Sequence, residues 1–438
     1  MAELSVSPEL AAGPKTAKQT NFLLRLGPGL ITGSADDDPS GIATYSQVGA
    51  QFGMGMLWTM LFSYPLMAAI QEICARLGRV TGAGIAANLR NHYPRPLLYT
   101  VVVLLCLANI FNLGADISAM GAAAQLVFGG NVNVYAFLFG ILSLCLQINL
   151  PYWRYVKYLK WLSLTLFAYV ITAFVVHIPW TQAFRSLVVP SIAWTTDYWM
   201  ALVAVLGTTI SPYLFFWQTS EEAEDVRVTR GDSALKRKPW QAFQQFRRIA
   251  LDTRIGMGLS NVIALFIILT TAATIHAAGH TGAIESAADA AKALEPLAGH
   301  FASLLFAIGI IGTGLLAVPV LAGSAAYAVA ESFRWRASLE RKPREAQKFY
   351  FVIAAATVVG CSLNLIGMNP IRALFWSAVL NGLVAAPLMV MLMIMSADRR
   401  IVGQFVLPVY LRVLGWAATV TMVIVSLFFL GHLLQHGH

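Results

Sequence analysis

Gly33-Ser34-Ala35-Asp36-Asp37-Asp38-Pro39-Ser40-Gly41-Ile42-Ala43 sets three carboxylates and a proline inside an apolar stretch long enough to cross a bilayer. A second such stretch breaks at Gly207-Thr208-Thr209-Ile210-Ser211-Pro212-Tyr213-Leu214. Proline lacks the helical donor and clashes with the preceding turn, so both stretches are expected to unwind there. Unwound backbone at membrane depth survives only where it lines a cavity or is buried in protein. Matching broken helices in two halves of a chain point to the substrate site of a secondary transporter, and carboxylates in the first break point to a cation.

The whole chain supports a membrane protein. Of its 438 residues 58% are hydrophobic and only 12% charged, with a mean hydropathy of +0.66. A soluble domain carries about 25% charged residues. No alternating polarity suggests a β-barrel. Eleven apolar segments of spanning length lie near 27–50, 56–76, 97–128, 134–151, 158–178, 198–220, 255–276, 301–333, 349–366, 371–396 and 408–432. The four cysteines fall in apolar segments and read as packing residues, not disulfides or a thiolate cluster. The polar first 20 or so residues lack the apolar core of a cleavable signal.

Basic residues set the orientation. All Lys and Arg except Arg185, Lys292 and Arg372 fall on one side of this arrangement. The positive-inside rule then makes the N-terminus cytoplasmic and the C-terminus external. This asymmetry accounts for the net charge of +9, and nucleic acid need not be invoked. Pro39 and Pro212 are 173 residues apart, with five segments from each break. Five is odd, so the halves have opposite topology. The fold class is therefore an all-α polytopic membrane protein, a LeuT-like five-plus-five inverted repeat with broken first and sixth helices and one added helix. The expected division is a cytoplasmic tail over 1–24, repeats over 25–180 and 181–400, and a last helix with an external C-terminus over 401–438.

Asp38 is expected to line a metal site. A charge at the bilayer centre costs at least about 2.5–3.5 kcal/mol on insertion scales. The plainer alternative places Asp36, Asp37 and Asp38 in an external turn. About ten apolar residues precede Asp36, however, and at 1.5 Å each they reach roughly half the membrane. Asp36 and Asp37 are expected either in the ion path or in an outer vestibule that concentrates cations. The second break offers the hydroxyls of Thr208, Thr209 and Ser211 and freed carbonyls. Oxygen donors suit hard cations, and neither break holds the Met or His that softer metals favour. Gln71 and Asn381 read as interhelical glue or path-lining amides. Asp116 is ionisable, so an ion path or proton relay competes with structural pairing. The run Glu221, Glu222, Glu224 and Asp225 reads as a solvated acidic face at the cytoplasmic exit.

Several motifs resemble the NRAMP family of divalent metal transporters. They are Gly27-Pro28-Gly29-Leu30, Asp38-Pro39-Ser40-Gly41, Gly49-Ala50-Gln51-Phe52-Gly53, Ala75-Arg76-Leu77-Gly78, and Leu305-Phe306-Ala307-Ile308-Gly309 with Ala322-Gly323. The resemblance covers roughly residues 25–430. It implies a metal site of Asp38, position 41, the Thr208 carbonyl and position 211. Where the family has Asp-Pro-Gly-Asn this chain has Gly41 last, and where it has Met-Pro-His this chain has Ser211-Pro212-Tyr213. Two acidic positions of the family's third helix correspond to Leu113 and Asp116, and Asp36 and Asp37 are additional. A divergent branch, the NRAMP-related magnesium transporters, is similar in losing the soft ligand.

The resulting expectation is a secondary transporter, not an enzyme, in a bacterial inner membrane. It moves Mg2+, and also Mn2+, without obligatory proton coupling. The ion is substrate and no cofactor is expected; oligomeric state is left open. The alternatives are a proton-coupled Mn2+/Fe2+ importer and an organic-amine or other solute symporter of the same architecture.

Overall fold

In the computed structural model, residues 32–33, 35–149, 163–229, 231–279, 281–339 and 343–436 are described. The expected tail over 1–24 and the basic cluster Arg154, Lys157 and Lys160 lie outside them. The described elements are helical. They are α1 (Pro39–Phe52), α2 (Trp58–Thr81), α3 (Ile85–His92), α4 (Arg95–Phe128), α5 (Val132–Asn149), α6 (Phe167–Val175) and α7 (Thr196–Thr209). Then follow α8 (Pro212–Val228), α9 (Ala242–Thr271), α10 (Ala302–Ser332), α11 (Gln347–Leu363), α12 (Pro370–Ala397) and α13 (Val409–His436).

Both prolines break the chain where expected. Asp38 is extended (φ −70°, ψ 168°) and caps α1, with Pro39 in the first turn. Ile210 leaves helical geometry (φ −122°, ψ 60°), Ser211 is extended, and Pro212 opens α8. The residue before a proline is driven out of the α region, and proline itself suits the first helical position. The same dipeptide logic thus ends one half-helix and starts the next.

Each of the eleven expected apolar segments contains a described helix, but a count of eleven spans is not established. Eight spans among the described residues are long and apolar enough to cross a membrane. The α1–α2 pair, bent by 110°, makes a ninth. In α2 the second half carries Glu72, Arg76 and Arg79, which dilutes its hydropathy. The fifth segment shows only the short α6, since 150–162 are outside the described residues.

Helices approach closely through small residues. A Cβ on Gly207 of α7 would stand 2.2 Å from the Ala378 carbonyl of α12, and one on Gly49 of α1 would stand 1.9 Å from Thr271 Oγ1 of α9. Glycine allows such backbone contact where lipid supplies no hydrophobic drive between helices. The four cysteines are unpaired.

The acidic run after the second break departs from the expected solvated face. Glu222 is fully buried, and Glu221 and Glu224 are 5% and 6% exposed. Arg79 Nη1 of α2 lies 2.6 Å from Asp225 Oδ2, and its Nη2 pairs with Asp232. Arg248 of α9 reaches Glu222 at 2.6 Å. Tyr327 of α10 donates to Glu224 at 2.5 Å, and Ser338 donates to the same carboxylate. A sequence window sees like charges side by side; packing brings the arginines and hydroxyls that let them be buried. A second cluster joins Glu72 to Arg76 (2.8 Å), Arg254 (3.1 Å) and Tyr410 (2.9 Å), tying α2 to α9 and α13.

Candidate cation site

Each break leaves a carbonyl without its helical partner, because the residue four positions on is a proline. Ala35 is four before Pro39, and Thr208 is four before Pro212. The structure satisfies each differently. Tyr213 Oη, from the start of α8, donates to the Ala35 carbonyl at 3.0 Å. Ser211 Oγ donates to the Thr208 carbonyl at 2.7 Å and lies 2.9 Å from the Gly207 carbonyl. Tyr213 therefore ties one break to the other. A carbonyl has two lone pairs, so the Thr208 oxygen keeps acceptor capacity.

Asp38 sits at the centre of this junction, 1% exposed. Its Oδ1 accepts from the Gly41 backbone N–H and from Ser40 Oγ, both at 2.7 Å. That is an N-cap: the short side chain satisfies an orphan donor of the first turn. Its Oδ2 accepts from Asn112 Nδ2 of α4 at 3.1 Å and faces Tyr213 Oη at 3.4 Å. A Cβ on Gly41 would stand 3.0 Å from Thr208 Oγ1, so the start of α1 abuts the end of α7. Asp38, Gly41, Thr208 and Ser211 thus meet at the facing breaks, with Tyr213 alongside. All five are buried. The groups gathered there are a carboxylate, backbone carbonyls, hydroxyls and an amide.

Asp36 and Asp37 turn elsewhere. Ser260 Oγ of α9 lies 2.7 Å from Asp36 Oδ2 and 2.8 Å from Asp37 Oδ1. At 0% and 5% exposure they line no open vestibule in this conformation. The last turn before the break is helical, so successive residues fan around the axis rather than point together. Among the described residues no group of three His, Cys, Asp or Glu is arranged to hold a metal.

Asp116 lies on α4, one turn beyond Asn112, fully buried. Neither of its carboxylate oxygens has a hydrogen-bond partner. The Ser40 backbone N–H at the start of α1 faces it without closing a well-formed bond. Gln71 and Asn381 are also fully buried, and neither amide has a partner. Asn381 is one turn along α12 from Ser377, which bonds Asn112.

The reading from sequence missed Asn112, Ser40 and Ser260 as partners of the aspartates, and Ser377 as the partner of Asn112. One signal was present: Asn112 and Asp116 are four apart, hence on one face of a helix. No local pattern marks Ser260 or Ser377, which are single hydroxyls in apolar helices.

Comparison with known proteins accords with this arrangement. A family model described as natural resistance-associated macrophage protein-like matches residues 29–432. The divalent metal cation transporter MntH of Klebsiella pneumoniae (strain 342) is 28% identical over 422 residues, which cover 94% of each chain. The crystal structure of a manganese transporter from Eremococcus coleocola superposes with a TM-score of 0.70 at 19% identity, covering 97% of this chain and 89% of that one. MhsT in complex with L-phenylalanine superposes with a TM-score of 0.64 at 12% identity, covering 92% and 98%. These likenesses establish the broken-helix fold, and the family model spans nearly the whole sequence. The chain belongs to the Nramp family, and is thus an integral-membrane transporter, not an enzyme, with a divalent metal ion as its cargo and not its cofactor.

Proposed function

We propose that this transporter carries Mg2+, and also Mn2+, by alternating access through the junction of the two breaks, without obligatory proton coupling. The observation that carries the reading is the oxygen-rich donor set at the facing breaks: the second break carries the Ser211 hydroxyl beside the Thr208 carbonyl, and no thioether. Thioether sulfur favours softer ions, and a site of oxygen donors gives up that discrimination. Mg2+ dehydrates reluctantly and is held through few protein ligands and several waters. Asp38 supplies the charge, and the Thr208 carbonyl and Ser211 hydroxyl supply neutral oxygens. Tyr213 stands where an ionisable imidazole would exchange protons near neutral pH; an unperturbed phenol titrates near 10. An inside-negative potential drives a divalent ion inward by about 4.6 kcal/mol per 100 mV without a proton. The protein sits in a bacterial plasma membrane with its N-terminus cytoplasmic and its C-terminus outside, and its inverted repeats occupy 25–180 and 181–400.

A second reading, proton-coupled manganese import, has one observation in its favour: Asp116 is buried near the site with neither oxygen partnered. The two relatives above are named for divalent metal and manganese transport. Proteoliposomes held at clamped voltage separate the readings. Mg2+, Mn2+ and Ca2+ uptake are followed together with internal pH. The expected result is Mg2+ and Mn2+ uptake with no proportional acidification, and none by Asp38→Ala. Acidification that scales with metal influx selects the second reading, and normal uptake by an inserted Asp38→Ala protein overturns the site.

A further inference from the structure

Gly41 brings no side chain to Asp38, and the space beside it is filled. A Cβ there would lie 3.0 Å from Thr208 Oγ1 and 3.4 Å from the Asp36 carbonyl. An amide arrives instead from α4. Asn112 is fully buried, with Nδ2 3.1 Å from Asp38 Oδ2. Its other end accepts a hydrogen bond from Ser377 Oγ of α12 at 2.8 Å. Three segments distant in sequence are therefore joined in a chain of hydrogen bonds, from Ser377 through Asn112 to Asp38.

We propose that Asn112 is itself a cation ligand: a half-turn of its amide places Oδ1 beside Asp38 Oδ2, and the two oxygens bind the ion together. This rests on Asp38 being the carboxylate ligand. The spacing suits it. Adjacent ligands of an octahedral ion with 2.1 Å bonds stand about 3.0 Å apart, and the amide and carboxylate atoms now stand 3.1 Å apart. The two ends of the amide serve the two states. Without an ion, Asp38 Oδ2 takes the N–H. With an ion on Asp38, the carbonyl end is the useful one.

Ser377 permits the turn. A hydroxyl both donates and accepts. In the present orientation its proton serves Asn112 Oδ1. After the turn its oxygen accepts from Nδ2, while its proton goes to the Leu374 carbonyl 2.7 Å away. Neither orientation strands a buried polar group, which would cost more than a hydrogen bond gains. Only the amide torsion changes, and no backbone moves.

The competing role is a strut, in which Asn112 merely steadies Asp38 through its N–H. Substitutions divide the two. Asn112→Asp keeps oxygen in place and loses the N–H; Asn112→Leu loses both. The full-length protein is titrated with Mn2+ by calorimetry, and Mg2+ flux is measured after reconstitution. A ligand role predicts that Asn112→Leu raises the Kd for Mn2+ by about tenfold or more. It predicts that Asn112→Asp stays within about threefold of the parent or binds more tightly. If Asp and Leu weaken binding equally, or neither changes it, the inference is overturned. Asn112→Ala replaces Leu in the same contrast if the Leu protein fails to insert. Asp38→Asn is run in parallel. Lost binding there, with Asn112 indifferent, sinks only this inference; retained binding there sinks the site reading itself.

Discussion

Replacing Arg79 with methionine tests whether the ion-pair cluster at the basic end of the helices holds that side closed. The Arg79 side chain is fully buried in α2, 2.6 Å from Asp225 and 3.9 Å from Glu222, and paired with Asp232. It ties α2 to α8, the second half of the broken pair, and to the loop beyond. Removing one partner of a buried pair costs about 3–5 kcal/mol, because the other charge stays behind. Two features reduce that here. Arg248 remains 2.6 Å from Glu222, and the Asp225 side chain is 38% exposed and rehydrates. About 2–3 kcal/mol is left on that basis.

If the proposed alternating access opens this end by drawing α8 away from α2, these contacts break on opening. Their loss therefore shifts the equilibrium toward the opened state by roughly 30- to 150-fold. Cys74 is a built-in reporter. It is fully buried on α2, where Thr219 of α8 donates to its carbonyl at 3.1 Å. Labelling by a small permeant maleimide, read at Cys74 by mass spectrometry, is expected to accelerate by about that factor in Arg79→Met. Arg400→Met, which removes an exposed pair with Asp398, is expected to change nothing measurable. An unchanged Cys74 rate in a folded Arg79→Met protein refutes the reasoning, as does an equal rise in the control.

Two further perturbations follow from the packing. Ser211→Met combined with Gly41→Asn is expected to move uptake toward Mn2+ and away from Mg2+, since it adds a thioether and an amide. The new Cβ meets Thr208 Oγ1 at 3.0 Å, so Thr208→Ala is included to make room; an unaltered Mg2+/Mn2+ ratio in a transporting triple variant counts against the ligand argument. Gly49→Ala puts a Cβ 2.5 Å from the Ile268 carbonyl, which cannot yield as a side chain can. It is expected to destabilise the protein by about 1–3 kcal/mol, read as an earlier thermal transition in detergent, whereas Gly431→Ala, in open space, leaves the transition unmoved.

The sequence alone determined the features that depend on near neighbours in the chain. A proline four residues after a carbonyl removes that carbonyl's helical donor wherever it occurs, so freed carbonyls at the second break, near Thr208, are expected from sequence alone, and the same rule applies to Ala35, which that reading did not name. Asp38 as a cap, the two broken helices and the all-helical membrane class come from the same local chemistry and from hydropathy. The side chains that meet at the breaks were decided by the tertiary structure. Asp36 and Asp37 adjoin Asp38 in sequence, yet helical rotation turns them to Ser260, while Asn112 arrives at Asp38 from the middle of α4. Glu222 and Glu224 read as solvated charge until α2, α9 and α10 bring Arg79, Arg248 and Tyr327 against them. The reason is common to all these cases. A carboxylate or amide in a membrane interior must find its partner across helices, and which helices adjoin is set by the packing of the whole bundle.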